Sequence, residues 1–288
     1  MAMEFKDVSF LYGKGTKNEL YALRDVNLTI DKHEYIGIIG HTGSGKSTLV
    51  QHMNGLNKPD SGSVIVEGIN TSEKGADLKL LRQKVGLVFQ YPEDQLFEET
   101  IFDDIAFGPK NQDLSSEEIE NRVEWSMKAV GLDYEKYKGT SPFELSGGQK
   151  RRVAIAGVLA LKPEYLVLDE PTAGLDPHGR QEILKSIRLI YENNKDMTIV
   201  LVTHSMEDIA EQATRLVVVD HGKIAMDGVT REVFSKQKEL EEIGLSVPQI
   251  TRFMNSLHES GFDVDATALT VDEAYDSLIK CLDERRVK

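Results

Sequence analysis

The chain has 288 residues, 40% hydrophobic and 28% charged, which is enough to build a core without cross-links and too apolar for disorder. Its one cysteine, Cys281, cannot form an intrachain disulfide and fits a reducing, cytosolic setting. A net charge of −14 gives no electrostatic reason to bind nucleic acid, and neither a signal region nor a membrane-spanning apolar run is present.

Taken in chain order, residues 3–33 read as a β-rich portion that opens an α/β core. The segment Val8-Ser9-Phe10-Leu11-Tyr12 alternates like an edge strand, so Tyr12 either packs there or offers its ring face to a flat ligand. Residues 34–40, Glu-Tyr-Ile-Gly-Ile-Ile-Gly, form a short apolar run of the kind found in buried strands. The run enters Gly40-His41-Thr42-Gly43-Ser44-Gly45-Lys46-Ser47-Thr48, and a helix follows through Leu49, Val50 and Met53 to about Gly55. Strand, glycine loop and helix together are the context in which this spacing cradles the phosphates of a nucleoside triphosphate. The amides of Gly43, Gly45, Lys46 and Ser47 are expected to converge at the helix N-terminus, an anion site. Lys46 then meets the β- and γ-phosphates, and Ser47 places its hydroxyl on Mg²⁺.

Residues 95–160 read as a helical insertion, with a helix over 119–130 started by Ser115 and Glu118 and stopped by Gly131. Leu96 and Phe97, at its start, either anchor a partner helix or pack the insertion onto the core. In Leu145-Ser146-Gly147-Gly148-Gln149, Ser146 is an expected N-cap and the glycines leave amides open to an anion. Lys150-Arg151-Arg152 reads as the solvated start of that helix. The strand Tyr-Leu-Val-Leu-Asp169-Glu170 ends in two carboxylates, Asp169 suited to a Mg²⁺ contact and Glu170 to a general base. A further apolar strand, residues 198–203, ends in His204. Ligands of open α/β sheets bind at the carboxyl ends of strands, which places Lys46, Asp169, Glu170 and His204 at one site. Residues 1–229 are thus expected to form one nucleotide-binding domain and residues 230–288 a helical extension. In the extension, Ser246-Val-Pro-Gln249 reads as a capping box before an apolar face of Ile250, Phe253, Met254 and Leu257. A second helix from Thr270 carries Val271, Ala274, Tyr275, Leu278 and Leu282 on one side. Each helix packs either on its own core or on another chain.

Leu145-Ser146-Gly147-Gly148-Gln149, 20 residues before Asp169, resembles the signature motif of the ABC ATPases. The resemblance covers residues 3–228 and implies a P-loop NTPase core, an N-terminal antiparallel β portion and a helical subdomain. It also implies roles: Tyr12 stacks on adenine, Gln90 senses Mg²⁺ and the transporter interface, residues 173–176 cross a dimer, and His204 is a switch histidine. In that family two cassettes close head to tail on ATP and Mg²⁺. Ser146, Gly147, Gly148 and Gln149 would therefore contact a nucleotide held by the partner chain. The absence of coiled-coil heptads and of a second cassette argues against the chromosome and translation relatives. Residues 89–100, Phe-Gln-Tyr-Pro-Glu-Asp-Gln-Leu-Phe-Glu-Glu-Thr, resemble the energy-coupling factor ATPases, which power uptake of vitamins and metal ions. That likeness implies a peripheral place on the cytoplasmic face of the cell membrane. The implied partners are a second, unlike ATPase, a transmembrane coupling subunit and a substrate-binding membrane subunit. The ATPase of a conventional importer and a non-transport regulatory ABC protein carry the same cassette motifs.

Overall fold

A computed structural model describes residues 2–286. Its strands are β1 (Met3–Tyr12), β2 (Leu20–Ile30), β3 (Tyr35–Ile39), β4 (Ser61–Val66), β5 (Ile69–Asn70), β6 (Val85–Val88), β7 (Tyr165–Asp169), β8 (Thr198–Val202), β9 (Arg215–Asp220) and β10 (Lys223–Val229). The cassette helices are α1 (Lys46–Met53), α2 (Leu78–Lys84), α3 (Ile101–Lys110), α4 (Ser116–Ala129), α5 (Tyr134–Tyr137), α6 (Gly147–Leu159), α7 (Pro177–Asn193) and α8 (Met206–Gln212). Four more follow: α9 (Thr230–Phe234), α10 (Gln237–Glu242), α11 (Gln249–Glu259) and α12 (Val271–Arg286).

Two sheets organise the cassette. The first is antiparallel, in the order β2-β1-β4-β5, and the second runs β10-β9-β3-β8-β7-β6, parallel except for β10. Strand side chains alternate between faces, and the apolar runs of β3, β7 and β8 supply both. Ile36, Ile38, Val167, Val200 and Val202 point toward the antiparallel sheet and α1. Tyr35, Ile39, Leu166, Leu168, Ile199 and Leu201 point toward the helices of the other layer. With both faces covered, the parallel strand ends at Ile39, Asp169 and Val202 open onto one edge, where the loops to α1, α7 and α8 begin.

Three expectations change here. Strand β1 is internal, flanked by β2 and β4, although its last residues pair only with β2: Tyr12 faces Leu20, while the β4 register stops at Ser9. Leu96 is buried in the main core, whereas Phe97 is exposed and set edge-on against Phe107 at 5.1 Å. Apolar position 96 thus fastens the insertion, so that of the two residues Phe97 is the one open to a partner. In the tail, no capping box forms: Pro248 is the N-cap of α11, and the Gln249 amide donates to Glu207 instead.

Val233, Phe234, Leu240, Leu245 and Val247 belong to the main core. A separate small core follows, built from Met254, Val264, Ala268, Ala274 and Cys281. Phe253 lies outside it, half-exposed. On α12 the buried side is Ala274, Leu278 and Cys281, while Val271, Tyr275, Ile279 and Leu282 form an exposed stripe. The predicted apolar face of α12 is therefore split, because this helix has two apolar sides and only one lies against α11. Arg231 of α9 ties the tail to the cassette through the Thr267 carbonyl (2.8 Å) and Glu273 (2.7 Å).

Candidate nucleotide site

Gly45 caps α1 with φ 110, and a Cβ there would lie 2.4 Å from the Ala22 carbonyl oxygen. Only glycine lets the loop turn into the helix at this point. The Ser44 amide closes the loop onto the His41 carbonyl at 3.1 Å, and no acidic residue occupies the first turn of α1 to neutralise its positive end. Lys46 is buried and donates to the carbonyls of Gly40 (2.8 Å) and His41 (3.1 Å). Burial lowers its pKa, while the charges of Glu170 and Asp169 oppose the shift. Tyr12 lies beside this loop, its hydroxyl 3.3 Å from Thr48 Oγ1 and its ring half-exposed.

Asp169 ends β7, almost fully buried. Burial raises its carboxyl pKa, against the pull of the Ser47 hydroxyl, Lys46 and His204. One oxygen, Oδ1, is buried without a hydrogen-bond partner. A buried acceptor of this kind is costly unless something outside the chain satisfies it. Ser47 and Asp169 are hard oxygen donors next to one another, the chemistry that suits Mg²⁺. The residues therefore fit that ion.

Glu170 follows with φ 52, a left-handed conformation that holds it at the strand end, where its amide donates to the Val202 carbonyl at 2.9 Å. Burial, and then the charge of Asp169, push its carboxyl up to about 7. Its Oε1 is buried without a hydrogen bond; His204 Nε2 sits 3.1 Å away but off the line of one. The His204 imidazole is held low by burial and by Lys46. Behind it, Ser205 caps α8 by accepting the Asp208 amide, and Arg180 from α7 grips Asp208 at 2.6 Å. The structure thus brings together Lys46, Ser47, Asp169, Glu170 and His204, the groups predicted from three separate segments. Gln90 stands exposed just past the end of β6, in the strand position beside β7.

The signature residues lie elsewhere. Ser146 caps α6, and Gln149 Oε1 returns to the Ser146 amide at 3.1 Å, completing a capping box. The Gln149 amide nitrogen also meets the Tyr137 hydroxyl, so this side chain serves the cap. Ser146, Gly147 and Gly148 line a groove with Gly174 and Asp176, to which no phosphate-loop residue contributes. Cβ atoms at Gly147 and Gly148 would meet nothing within 4 Å.

Arg151 corrects the reading of the basic triplet. It is fully buried and bonds Glu93 at 2.5 and 2.9 Å, the Ala173 carbonyl at 2.6 Å and the Pro171 carbonyl at 3.1 Å. It joins the signature helix to the turn after β6 and to the loop after Glu170. Its neighbour Arg152 pairs with Glu182 of α7. A basic triplet at a helix start gives no sign of burial, because Glu93 lies 58 residues away in sequence.

A strand, phosphate-type glycine loop and helix, with a carboxylate strand and a histidine strand ending beside them, define a P-loop nucleoside triphosphatase. The ABC transporter family model matches residues 23–173. The energy-coupling factor transporter ATP-binding protein EcfA2 of Clostridium tetani is 53% identical, with 99% of each chain covered. The protein of the same name from Caldanaerobacter subterraneus subsp. tengcongensis is 53% identical over 98% of each chain. Among solved structures, cbiO1 of Clostridium perfringens, part of the ABC transporter complex cbiONQ, superposes with a TM-score of 0.72 at 37% identity over 88% of this chain and 98% of that one. The cassette MJ0796, solved as a dimer in a post-hydrolysis state bound to ADP and Pi, gives a TM-score of 0.70 at 30% identity over 79% of this chain and 98% of that one. The chain belongs to the ABC transporter ATPases, within the group of energy-coupling factor ATP-binding proteins. It is an ATP-binding enzyme of the hydrolase class.

Proposed function

We propose that the chain is the ATP-hydrolysing subunit of an energy-coupling factor importer, and that it powers uptake of a vitamin or metal ion through separate membrane subunits. Its place is peripheral, on the cytoplasmic face of the cell membrane; no helix among the described residues is long and apolar enough to cross a bilayer. The observation that carries this reading is near full-length similarity to energy-coupling factor ATP-binding proteins, tail included. The partner in nucleotide binding is a second, unlike cassette docked head to tail. The open space over Gly147 and Gly148 supports that arrangement.

In the assembled site Tyr12 stacks on adenine, and the loop from Gly40 to Thr48 wraps the phosphates, with Lys46 as the fixed charge. Ser47, Asp169 and, from the exposed end of β6, Gln90 hold Mg²⁺. The ion supplies charge neutralisation at the transferring phosphoryl group. Glu170, with a carboxyl near neutrality, accepts a proton from the attacking water. His204 donates from the neighbouring strand to the γ-phosphate. The partner's nucleotide is met by the Ser146 hydroxyl and the amides at the N-terminus of α6. Phe97 and Phe107, paired on the surface of the helical layer, receive the coupling subunit.

Affinity purification of the chain from membranes tests the assembly. A co-purified unlike ATPase and two membrane proteins are expected. A homodimer accompanied by a soluble solute-binding protein would refute the reading.

A further inference from the structure

The turn joining β9 to β10 is Asp220-His221-Gly222, with φ 44 at His221 and φ 77 at Gly222. Two successive left-handed residues close a tight hairpin, and asparagine is the low-strain choice at the first of them. Here histidine takes that place. Backbone bonds seat the turn on the phosphate loop: the Gly222 amide donates to the Ser44 carbonyl and the Gly222 carbonyl accepts from Arg24, both at 2.8 Å. The His221 ring consequently lies 5.0 Å from the ring of His41, inside the loop itself.

Asp220 stands between them. Its Oδ1 is 3.0 Å from His41 Nε2 and 3.8 Å from His221 Nε2. One ligand atom from each of the three residues lies within 4.8 Å of the others. Bonds of ~2.0–2.1 Å at tetrahedral angles separate neighbouring ligand atoms by roughly 3.3 Å, so small side-chain rotations bring this trio to that spacing.

A second observation concerns His41 alone. Its Nδ1 is 2.8 Å from the Thr42 carbonyl oxygen, which can only accept. A neutral ring therefore carries its proton on Nδ1 and turns the Nε2 lone pair toward the Asp220 carboxylate, which also only accepts. That contact is repulsive unless a positive centre enters it, either a second ring proton or a metal ion. An imidazole with its far nitrogen fixed on a carbonyl is also the usual support of a metal-ligating histidine.

We propose that His41, Asp220 and His221 form a site for a divalent transition cation of the Zn²⁺, Ni²⁺ or Co²⁺ class, bridging the phosphate loop and the β9–β10 turn. Two imidazoles and one carboxylate suit these borderline cations, whereas Mg²⁺ takes oxygen ligands and belongs with Ser47 and Asp169. Partial exposure of the trio leaves a fourth position to water. Because none of its ligands depends on nucleotide, the site fills in the nucleotide-free chain.

The test uses the untagged full-length protein without nucleotide, titrated with Zn²⁺ by calorimetry and with Co²⁺ by visible absorption. Wild type is expected to bind one equivalent and to give tetrahedral Co²⁺ bands. His221→Asn keeps the turn and is expected to weaken Zn²⁺ at least tenfold, as is Asp220→Asn, with ATP affinity within twofold of wild type and unchanged circular dichroism. Equal Zn²⁺ affinity in wild type and His221→Asn would overturn the site, as would displacement of Zn²⁺ by equimolar Mg²⁺ or failure of wild type to bind.

Discussion

Glu170 is the residue whose environment most directly shapes its chemistry. Buried at a strand end beside Asp169, its carboxyl is pushed up to about 7. A carboxyl raised in this way stabilises the fold in its protonated form. That contribution is complete below its unfolded value and is lost as pH rises through about 7. Glutamine does not titrate, so metal- and nucleotide-free Glu170→Gln should gain about 2–3 kcal/mol over wild type between about pH 5 and about pH 8. Urea unfolding at both pH values checks this, and a constant difference would contradict it. In the assembled transporter the same variant is expected to bind ATP normally and to lose about 10²–10⁴-fold in turnover, measured as phosphate release. Near-normal release would remove Glu170 from its role. The site residues were largely legible in sequence, since Gly40 to Thr48 is contiguous and Asp169, Glu170 and His204 each end an apolar strand. Arg151 was not legible, because its partners are scattered over residues 93–173 and only folding reveals them.

At the scale of elements, α6 is fastened at its start by the Ser146–Gln149 box and one turn later by Arg151. The guanidinium fork holds the carboxylate of Glu93 and two carbonyls of the loop after β7, so it fastens α6, that loop and the turn from Pro92 to Gln95 to one another. Lysine retains the charge without the fork. Arg151→Lys is expected to destabilise the chain by about 1–3 kcal/mol, and Arg151→Ala by about 3–5 kcal/mol, because the partly buried Glu93 and the carbonyls of Pro171 and Ala173 lose their donor together. A double-mutant cycle with Glu93→Gln should give a coupling above about 1 kcal/mol. Additive effects would show that the pair is incidental. Element types were readable from periodicity, including the glycine stop of α4, where Gly131 holds φ 74. Which face of α11 or α12 turns inward was not readable. Both helices carry apolar side chains on more than one side, and only their mutual packing selects Met254 over Phe253 and Ala274 over Tyr275.

At the scale of the whole molecule, the phosphate loop and the signature residues proposed to meet a partner's nucleotide sit in separate places on one chain. Ser146→Arg is therefore expected to abolish turnover of the nucleotide held by the partner cassette while this chain's own ATP affinity, read by fluorescent-nucleotide titration, stays within twofold. Loss of that affinity would contradict the head-to-tail arrangement. The tail adds a different constraint. Its small core shares none of its buried side chains with the cassette core, and it follows Val247, the last buried member of that core, with Leu269 alone of the later described residues packing back onto it. During synthesis the N-terminal part of a chain emerges and folds first. The cassette can thus close before the ribosome has delivered the stripe of Val271, Tyr275, Ile279 and Leu282. A sticky surface placed at the beginning of the chain would be exposed alongside unpaired strands. Placed after the cassette in chain order, it emerges once the body that carries it can already have folded, which limits premature association.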